Sequence, residues 1–518
     1  EPQPRAKPGT ITIPMPDEKP AQVTEDVRFT LSSVRIVGAT RISEDALKPL
    51  YSPLLGSSIG FNDLNELTRR MTAYYRNAGY LLSQAILPPQ AIDNGEVSIR
   101  IIEGYVEGFE LRGVDPGEFP LIETYARQIT EAKPIDAATL EQNLLLMNDL
   151  PGISVRGTLL PAKDNSGAAK LVLEVSRLRF AGGISYDNRG GNSLGPSRLM
   201  MDAQATSLLR ANDRTLIRGV TSGDSKLNFL SLGHEQMIGS SGGKLGFFAN
   251  SVRSQPKERF FIPLKQQTES QSYSLQYTQP LIRRRAENLA IRTTLGSYDG
   301  QTSLFDVVET RDAIRSWRLG MTYDLADAWG GVNLVDVEYS QGIPGLGASS
   351  NNDPMLSRAT GRVDYRKLNV YLARVQILGA GWSILGAASA QHAYTDLLAS
   401  ELYSLGGEPF GRGFDPSELV GDHGLAGKIE LRYNLALPDL GIQNAMIYGF
   451  QEAGHVRQRT PLAGTDAKES LASHGLGLRL QVAPQLAGFV EVAKPRLRDV
   501  ATENNQNARI FAGISMRF

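Results

Sequence analysis

Cysteine is absent from the 518 residues, which removes disulfide staples, thiolate nucleophiles and cysteine-ligated metals together. Long apolar runs are absent too. No stretch approaches the roughly 18 residues that a membrane-spanning helix needs, and mean hydropathy is −0.22. This argues against helical insertion but does not exclude a β-barrel, because a spanning strand needs only about 9–11 residues of alternating character. Charge of one sign is not in excess either: 54 basic and 55 acidic residues leave a formal charge of −1, so nothing draws the chain as a whole to nucleic acid or anionic lipid. Histidine is scarce, and His234, His392, His423, His455 and His474 lie scattered without metal-ligand spacing.

What is present suggests several modules rather than one domain. The chain starts at Glu1 with no apolar stretch nearby, and we read it as a mature or trimmed product. Residues 1–26 carry Pro2, Pro4, Pro8, Pro14, Pro16 and Pro20 and are expected to form an extended linker. From residue 27 the pattern predicts a strand over Phe29–Val37, a helix opening at Ser43-Glu44-Asp45, and a second helix carrying Leu64, Leu67, Met71, Tyr74 and Ala78. Asn62 is expected to cap that helix and Gly79 to stop it. Strands near Leu81–Leu87 and Glu96–Ile102 follow, giving β-α-α-β-β over 27–104. The same order returns over 105–177: a strand at Val106–Leu111, a helix at Leu121–Thr130, a helix capped by Asp136 with an Ile135–Leu140 staple, and strands at Ile153–Leu160 and Lys170–Val175.

After residue 178 helical patterns give way to alternating segments. Leu476, Leu478, Leu480 and Val482 alternate, turn at Ala483-Pro484-Gln485, and resume as Leu486, Gly488, Val490 and Val492. Tyr273, Leu275 and Tyr277 alternate before the polar turn Arg283-Arg284-Arg285, and Leu289, Ile291, Thr293 and Leu295 after it. Short turns alternate with long polar connections, as in an outer-membrane barrel, and 178–518 can supply about sixteen antiparallel strands. A soluble β-sandwich or propeller also alternates. The end of the chain favours the barrel, since Ile510, Ala512, Ile514, Met516 and the terminal Phe518 share one face.

Enzyme signatures fail. Gly239-Ser240-Ser241-Gly242-Gly243-Lys244 lacks the first glycine and the final hydroxyl of a phosphate loop, with Ile238 and Leu245 in those places. Ser254-Gln255-Pro256-Lys257 has the Ser-x-x-Lys spacing but no companion motifs, and a proline breaks the helix it needs.

One arrangement does stand out: Gly411-Arg412-Gly413-Phe414, preceded by Leu405-Gly406-Gly407-Glu408-Pro409-Phe410. Glycines around an arginine allow a tight turn that sends a guanidinium across a lumen toward a carboxylate. The bland alternative is a solvated turn arginine. The arrangement resembles the ShlB/FhaC/HecB-type transporters of two-partner secretion, relatives of the barrel-assembly insertases. These carry Val-Arg-Gly-Tyr/Phe at the tip of an inward-folded loop, here near 406–424, and Arg412, Gly413 and Phe414 match while Gly411 departs. In that family the arginine's carboxylate lies in Phe-x-Asp-x-Gly. Phe450-Gln451-Glu452-Ala453-Gly454 takes that place here, so the resemblance makes Glu452 the barrel partner.

Gly79-Tyr80, Leu87-Pro88-Pro89-Gln90, Gly95-Glu96-Val97 and Ile102-Glu103-Gly104 are similar to the first POTRA module of these transporters, with Pro88, Pro89, Gln90, Gly95, Glu103 and Gly104 as its signature. Many relatives also begin with a pore-plugging helix, from which the proline-rich residues 1–26 depart.

The resemblance implies an all-β transmembrane barrel of about sixteen strands with two α+β POTRA domains, 27–104 and 105–177. The POTRA domains would sit in the periplasm of a Gram-negative bacterium and the barrel, 178–518, in its outer membrane. It implies no enzyme activity, catalytic residue, cofactor or metal, and export without ATP of a large secreted β-helical exoprotein of the TpsA type. Further expected partners are outer-membrane lipid and, during biogenesis, periplasmic chaperones and the barrel-assembly machinery, with Phe518 as the assembly signal and no nucleic acid. The rival readings are an outer-membrane insertase, a passive channel and, last, an outer-membrane enzyme.

Overall fold

The structure, a computed structural model, describes residues 27–115, 117–161, 167–257, 261–437, 441–461, 464 and 466–518. The proline-rich 1–26 lie outside the described residues. The rest divides into two compact units between Arg177 and Leu178.

The first unit repeats one plan twice. In each repeat the first strand pairs in parallel with the last, which pairs antiparallel with the second: Ser33–Val37, Gln84–Ile86 and Glu96–Ile102, then Tyr105–Arg112, Ile153–Pro161 and Ala168–Arg177. Two helices fill each crossover, Glu44–Tyr51 and Phe61–Asn77 in the first, Pro120–Glu131 and Ala137–Asn148 in the second.

Leu64, Leu67, Met71 and Tyr75 recur at helical spacing and are buried with Leu47, Val97, Ile99 and Ile101. Each such side chain contributes roughly 1.5–3 kcal/mol. Asp136 caps its helix by accepting the Thr139 N–H at 2.8 Å. Asn62 does not cap: the N-cap is Gly60, whose N–H donates to Asp63 Oδ2 at 2.9 Å. The carboxylate one turn in answers the orphan amide, leaving Asn62 inside the first turn. Two expected strands are shorter than their apolar patterns. Phe29–Thr30 breaks away from Ser33–Val37 to pair with Ser58–Ile59, and only Gln84–Ile86 of the 81–87 run joins the sheet.

The second unit is a closed barrel of sixteen antiparallel strands, each paired with its sequence neighbours, from Phe180–Asp187 to Arg509–Arg517. Closure leaves no free edge. Alternation sets the faces: Ile447, Leu476, Val490, Val492, Ile510 and Ile514 lie exposed on the outside, while their neighbours Tyr448, Glu491 and Phe511 are buried within. The seam between last and first strands has five paired residues, Gly513 to Arg517 against Asp187 to Gly183. Phe518 extends it, exchanging main-chain hydrogen bonds with Gly182 at 2.8 and 3.0 Å. The Gly239–Gly242 stretch that resembled a phosphate loop is a turn between the strands Leu227–Ile238 and Gly243–Ser254.

Candidate functional site

The long connection between the strands Trp382–Ala393 and His423–Leu437 folds into the lumen. A short ladder, Tyr403–Leu405 with Leu419–Gly421, carries its tip. Gly406 and Gly407 donate to the carbonyls of Phe410 and Gly411, both at 3.0 Å, which closes the tip on itself. Gly411 has φ +104°, and a Cβ there would lie 2.9 Å from Gly406 Cα, so valine does not fit the first motif position here. Gly413 has a different reason: its Cβ would lie 2.9 Å from the Pro495 nitrogen on the strand Leu486–Arg496.

Arg412 is almost fully buried, 2% exposed. Its Nε donates to Glu452 Oε1, and its main-chain N–H donates to Glu452 Oε2 at 2.9 Å, an oxygen that also accepts the Gly411 N–H. Glu452 is not alone. Arg412 Nη1 reaches Glu430 at 3.0 Å and Glu491 at 2.9 Å, so three carboxylates from the strands His423–Leu437, Ile442–Arg457 and Leu486–Arg496 converge on one guanidinium. The guanidinium carbon stands 3.5 Å from the Phe450 ring centroid, a cation–π contact in a site largely shut off from water.

Three buried anions would be unstable beside a single cation. Further arginines balance them: Arg432 at 2.7 Å and Arg479 at 2.9 Å hold Glu430, and Arg189 at 3.1 Å holds Glu491, which also accepts the Tyr448 hydroxyl at 2.8 Å. Phe414 sits among Phe410, Ala426, Val456 and Leu471, giving the tip an apolar seat beside its ionic one.

The loop has further anchors that motif reasoning did not find. Asp415 accepts from Arg509 and from the Thr502 hydroxyl, both at 2.7 Å. Glu401, buried before the tip, meets Arg318 at 2.6 Å and Lys367 at 2.8 Å. Asp422, just past the ladder, takes both Nη atoms of Arg358 at 2.8 and 3.0 Å.

The other signature residues lie in the first repeat and tie its connections down. Gln90 mimics a strand partner, donating to the Ser98 carbonyl at 2.8 Å and accepting its N–H at 2.7 Å. Pro88 and Pro89 lie in the connection leading to it. Glu103 accepts the N–H groups of Thr40 and Arg41 at 2.8 and 2.9 Å and the hydroxyls of Thr40 and Tyr75. Burial pushes its carboxyl up, but these hydrogen bonds outweigh that and hold it below the ordinary value. Gly95 at φ +75° and Gly104, whose Cβ would strike Leu82, allow close main-chain approaches. Phe518 points outward and is 74% exposed.

The haemolysin secretion/activation protein family ShlB/FhaC/HecB matches residues 167–480, and the ShlB-type POTRA domain matches 29–104. The heme/hemopexin transporter protein HuxB of Haemophilus influenzae strain 86-028NP is 24% identical over 95% of this chain and 88% of its own. Outer membrane transporter CdiB of Dickeya dadantii strain 3937 is 24% identical over 83% of this chain and 76% of its own. A solved structure of CdiB from Escherichia coli superposes with a TM-score of 0.75 at 21% identity, covering 99% of this chain and 94% of that one, and shares the fold. The chain belongs to the ShlB/FhaC/HecB family, outer-membrane transporters of two-partner secretion whose POTRA domains lie in the periplasm.

Proposed function

We propose that this chain receives a large secreted partner in unfolded form through two POTRA modules, 27–104 and 105–177, and passes it through the barrel, with the Arg412 loop tip as the element that must yield. The observation that carries the reading is the loop itself. It lies inside the lumen, on the path a translocating chain would take, and is held by discrete ionic contacts at Glu401, Arg412, Asp415 and Asp422 beside the apolar seat of Phe410 and Phe414. Contacts of that kind break and re-form as units, as a gate requires.

In both repeats the sheet order leaves the outer edge of the first strand without a strand neighbour among the described residues. Such an edge suits an extended segment, with main-chain hydrogen bonds supplying affinity and alternate side chains supplying choice. The partner chemistry follows from the resemblance: a long β-helical exoprotein whose folding outside the cell supplies direction without ATP. Outer-membrane lipid surrounds the barrel, and periplasmic chaperones and the barrel-assembly machinery deliver it.

The test uses cells lacking this chain, complemented with the full chain or with 178–518 alone, and measures release of the cells' secreted exoprotein. The proposal expects the barrel alone to insert but not to export. Export by the barrel alone contradicts the receiving role of 27–177, and export without any of the chain contradicts the transport role.

A further inference from the structure

The outer face of three strands beside the seam carries cations that no acid answers. On Lys468–Ala483, exposed Leu476 marks the outward parity, which Lys468 and His474 share. On Leu486–Arg496, exposed Val490 and Val492 place Lys494 and Arg496 outward, and on Ile442–Arg457 exposed Ile447 does the same for His455 and Arg457. Register brings the charges together: Arg457 stands directly opposite Lys468, His474 opposite Lys494, and Arg496 opposite Ala472. Arg457, Lys468, Lys494 and Arg496 are all exposed, and among the described residues none forms an ion pair within 4 Å.

The acids of these strands face the other way. Glu452 and Glu491 are buried in the lumen, and Glu469, opposite the buried Val456, pairs with Arg498 at 3.0 Å. Asp466, two residues before Lys468, makes no ion pair within 4 Å among the described residues. Two outward arginines elsewhere on the barrel are neutralised by its own acids: Arg253 meets Glu269 at 3.4 Å and Arg315 meets Asp299 at 3.1 Å, on the outward parity of exposed Phe247, Tyr273, Leu295 and Trp317. Like charges directly opposite on a sheet are destabilising, so an uncompensated Arg457–Lys468 pair calls for an anion from outside.

Its place says which anion. These residues lie at the strand ends away from the short turns and from Phe518, hence at the cell-surface end, above the apolar band of Leu476, Val490, Val492 and Ile510. A cation there meets lipid head groups, and long Lys and Arg side chains reach them while their stems stay in apolar surroundings. We infer that Arg457, Lys468, Lys494 and Arg496 form a docking site for the phosphates of an anionic glycolipid in the external leaflet of the outer membrane. The site fixes the lipid beside the strands that carry Glu452 and Glu491.

The test titrates full-length protein in neutral detergent with lipopolysaccharide and with the same lipid after enzymatic dephosphorylation. The unaltered protein is expected to hold the phosphorylated lipid. Replacing all four cations by Gln should weaken binding roughly a thousandfold, whereas Arg253→Gln with Arg315→Gln should leave it near the starting value. Removing the phosphates should weaken binding to the unaltered protein about as much as the fourfold replacement does, and this arm decides alone if the variant does not assemble. Equal affinity for both lipids overturns the proposal, as does equal affinity of the fourfold variant. Release of the lipid by inorganic phosphate at matched phosphate concentration overturns it as well, because the site would then take free anions. Loss of export with lipid binding unchanged overturns it in favour of a protein contact.

Discussion

Glu452 holds Arg412 twice, by its side chain and by its main chain: Oε1 takes Nε while Oε2 takes the Arg412 N–H at 2.9 Å. The motif arginine and the loop's path are thus fixed by one carboxylate, and Glu430 and Glu491 hold the far side of the guanidinium.

From this arrangement Arg412→Ala is expected to lower partner secretion tenfold or more while the barrel still inserts, because the tip loses its anchor but Glu401 and Asp422 keep the flanks in place. Breaking a buried pair costs about 3–5 kcal/mol. Glu452→Ala should resemble it and the double variant should be no worse than the worse single, since contacting groups are non-additive. Glu452→Gln keeps an acceptor for the Gly411 and Arg412 N–H groups and should be milder. Arg412→Lys loses the fork that spans three carboxylates and should restore export only in part. Secretion normalised to surface barrel level checks all five variants; fully additive defects would rule out a shared anchor.

Gly411→Val supplies the first residue of the motif that the loop resembles, yet it should impair export here. The positive φ and the contact with Gly406 make a side chain cost about 1–3 kcal/mol at the tip. Normal secretion by this variant would show that the tip adopts another path.

Much of the barrel is legible in the sequence because one face of each strand must be apolar for lipid, so Leu476 to Val482 and Leu486 to Val492 announce their parity. The full arginine site is not. Glu430 and Glu491 stand 18 and 79 residues from Arg412, and only the registers of the barrel bring them together. A signal was nonetheless present. Glu430 lies between Ile429 and Leu431 and Glu491 between Val490 and Val492, so an acid flanked by lipid-facing residues had to point inward. The anchors Asp415, Glu401 and Asp422 leave no such trace, since loop residues have no periodicity. Asn62 misled because a helix start offers several acceptors, and Asp63 reaches back one turn to Gly60.

Residues 27–177 should be soluble and folded in plain buffer, while 178–518 should require detergent. A monodisperse detergent-free barrel fragment would contradict the second unit's place in a membrane. In the soluble fragment the low-held Glu103 carboxyl contributes stability that is present above its unfolded value near about 4.3 and lost as pH falls through the folded one. Glu103→Gln should therefore lower Tm by about 2–4 °C at pH 7, and the gap should narrow as pH falls below the unfolded value and through the lower folded one. A gap unchanged with pH would mean that the charge of Glu103 contributes nothing.

Phe518→Ser keeps the main-chain exchange with Gly182 but removes an outward aromatic ring. The amount of heat-modifiable barrel should fall several-fold in membranes while the soluble modules stay folded. Unchanged levels would leave the ring without an assembly role.

The most direct test of transport through the barrel uses the absence of native cysteine. Thr294 has the inward parity of its strand, and its neighbour Leu295 lies exposed on the outside. A partner stalled in transit and carrying one cysteine should form a disulfide with Thr294→Cys and none with Leu295→Cys. Efficient export with no adduct at 294, or equal adducts at both positions, would contradict passage through the lumen.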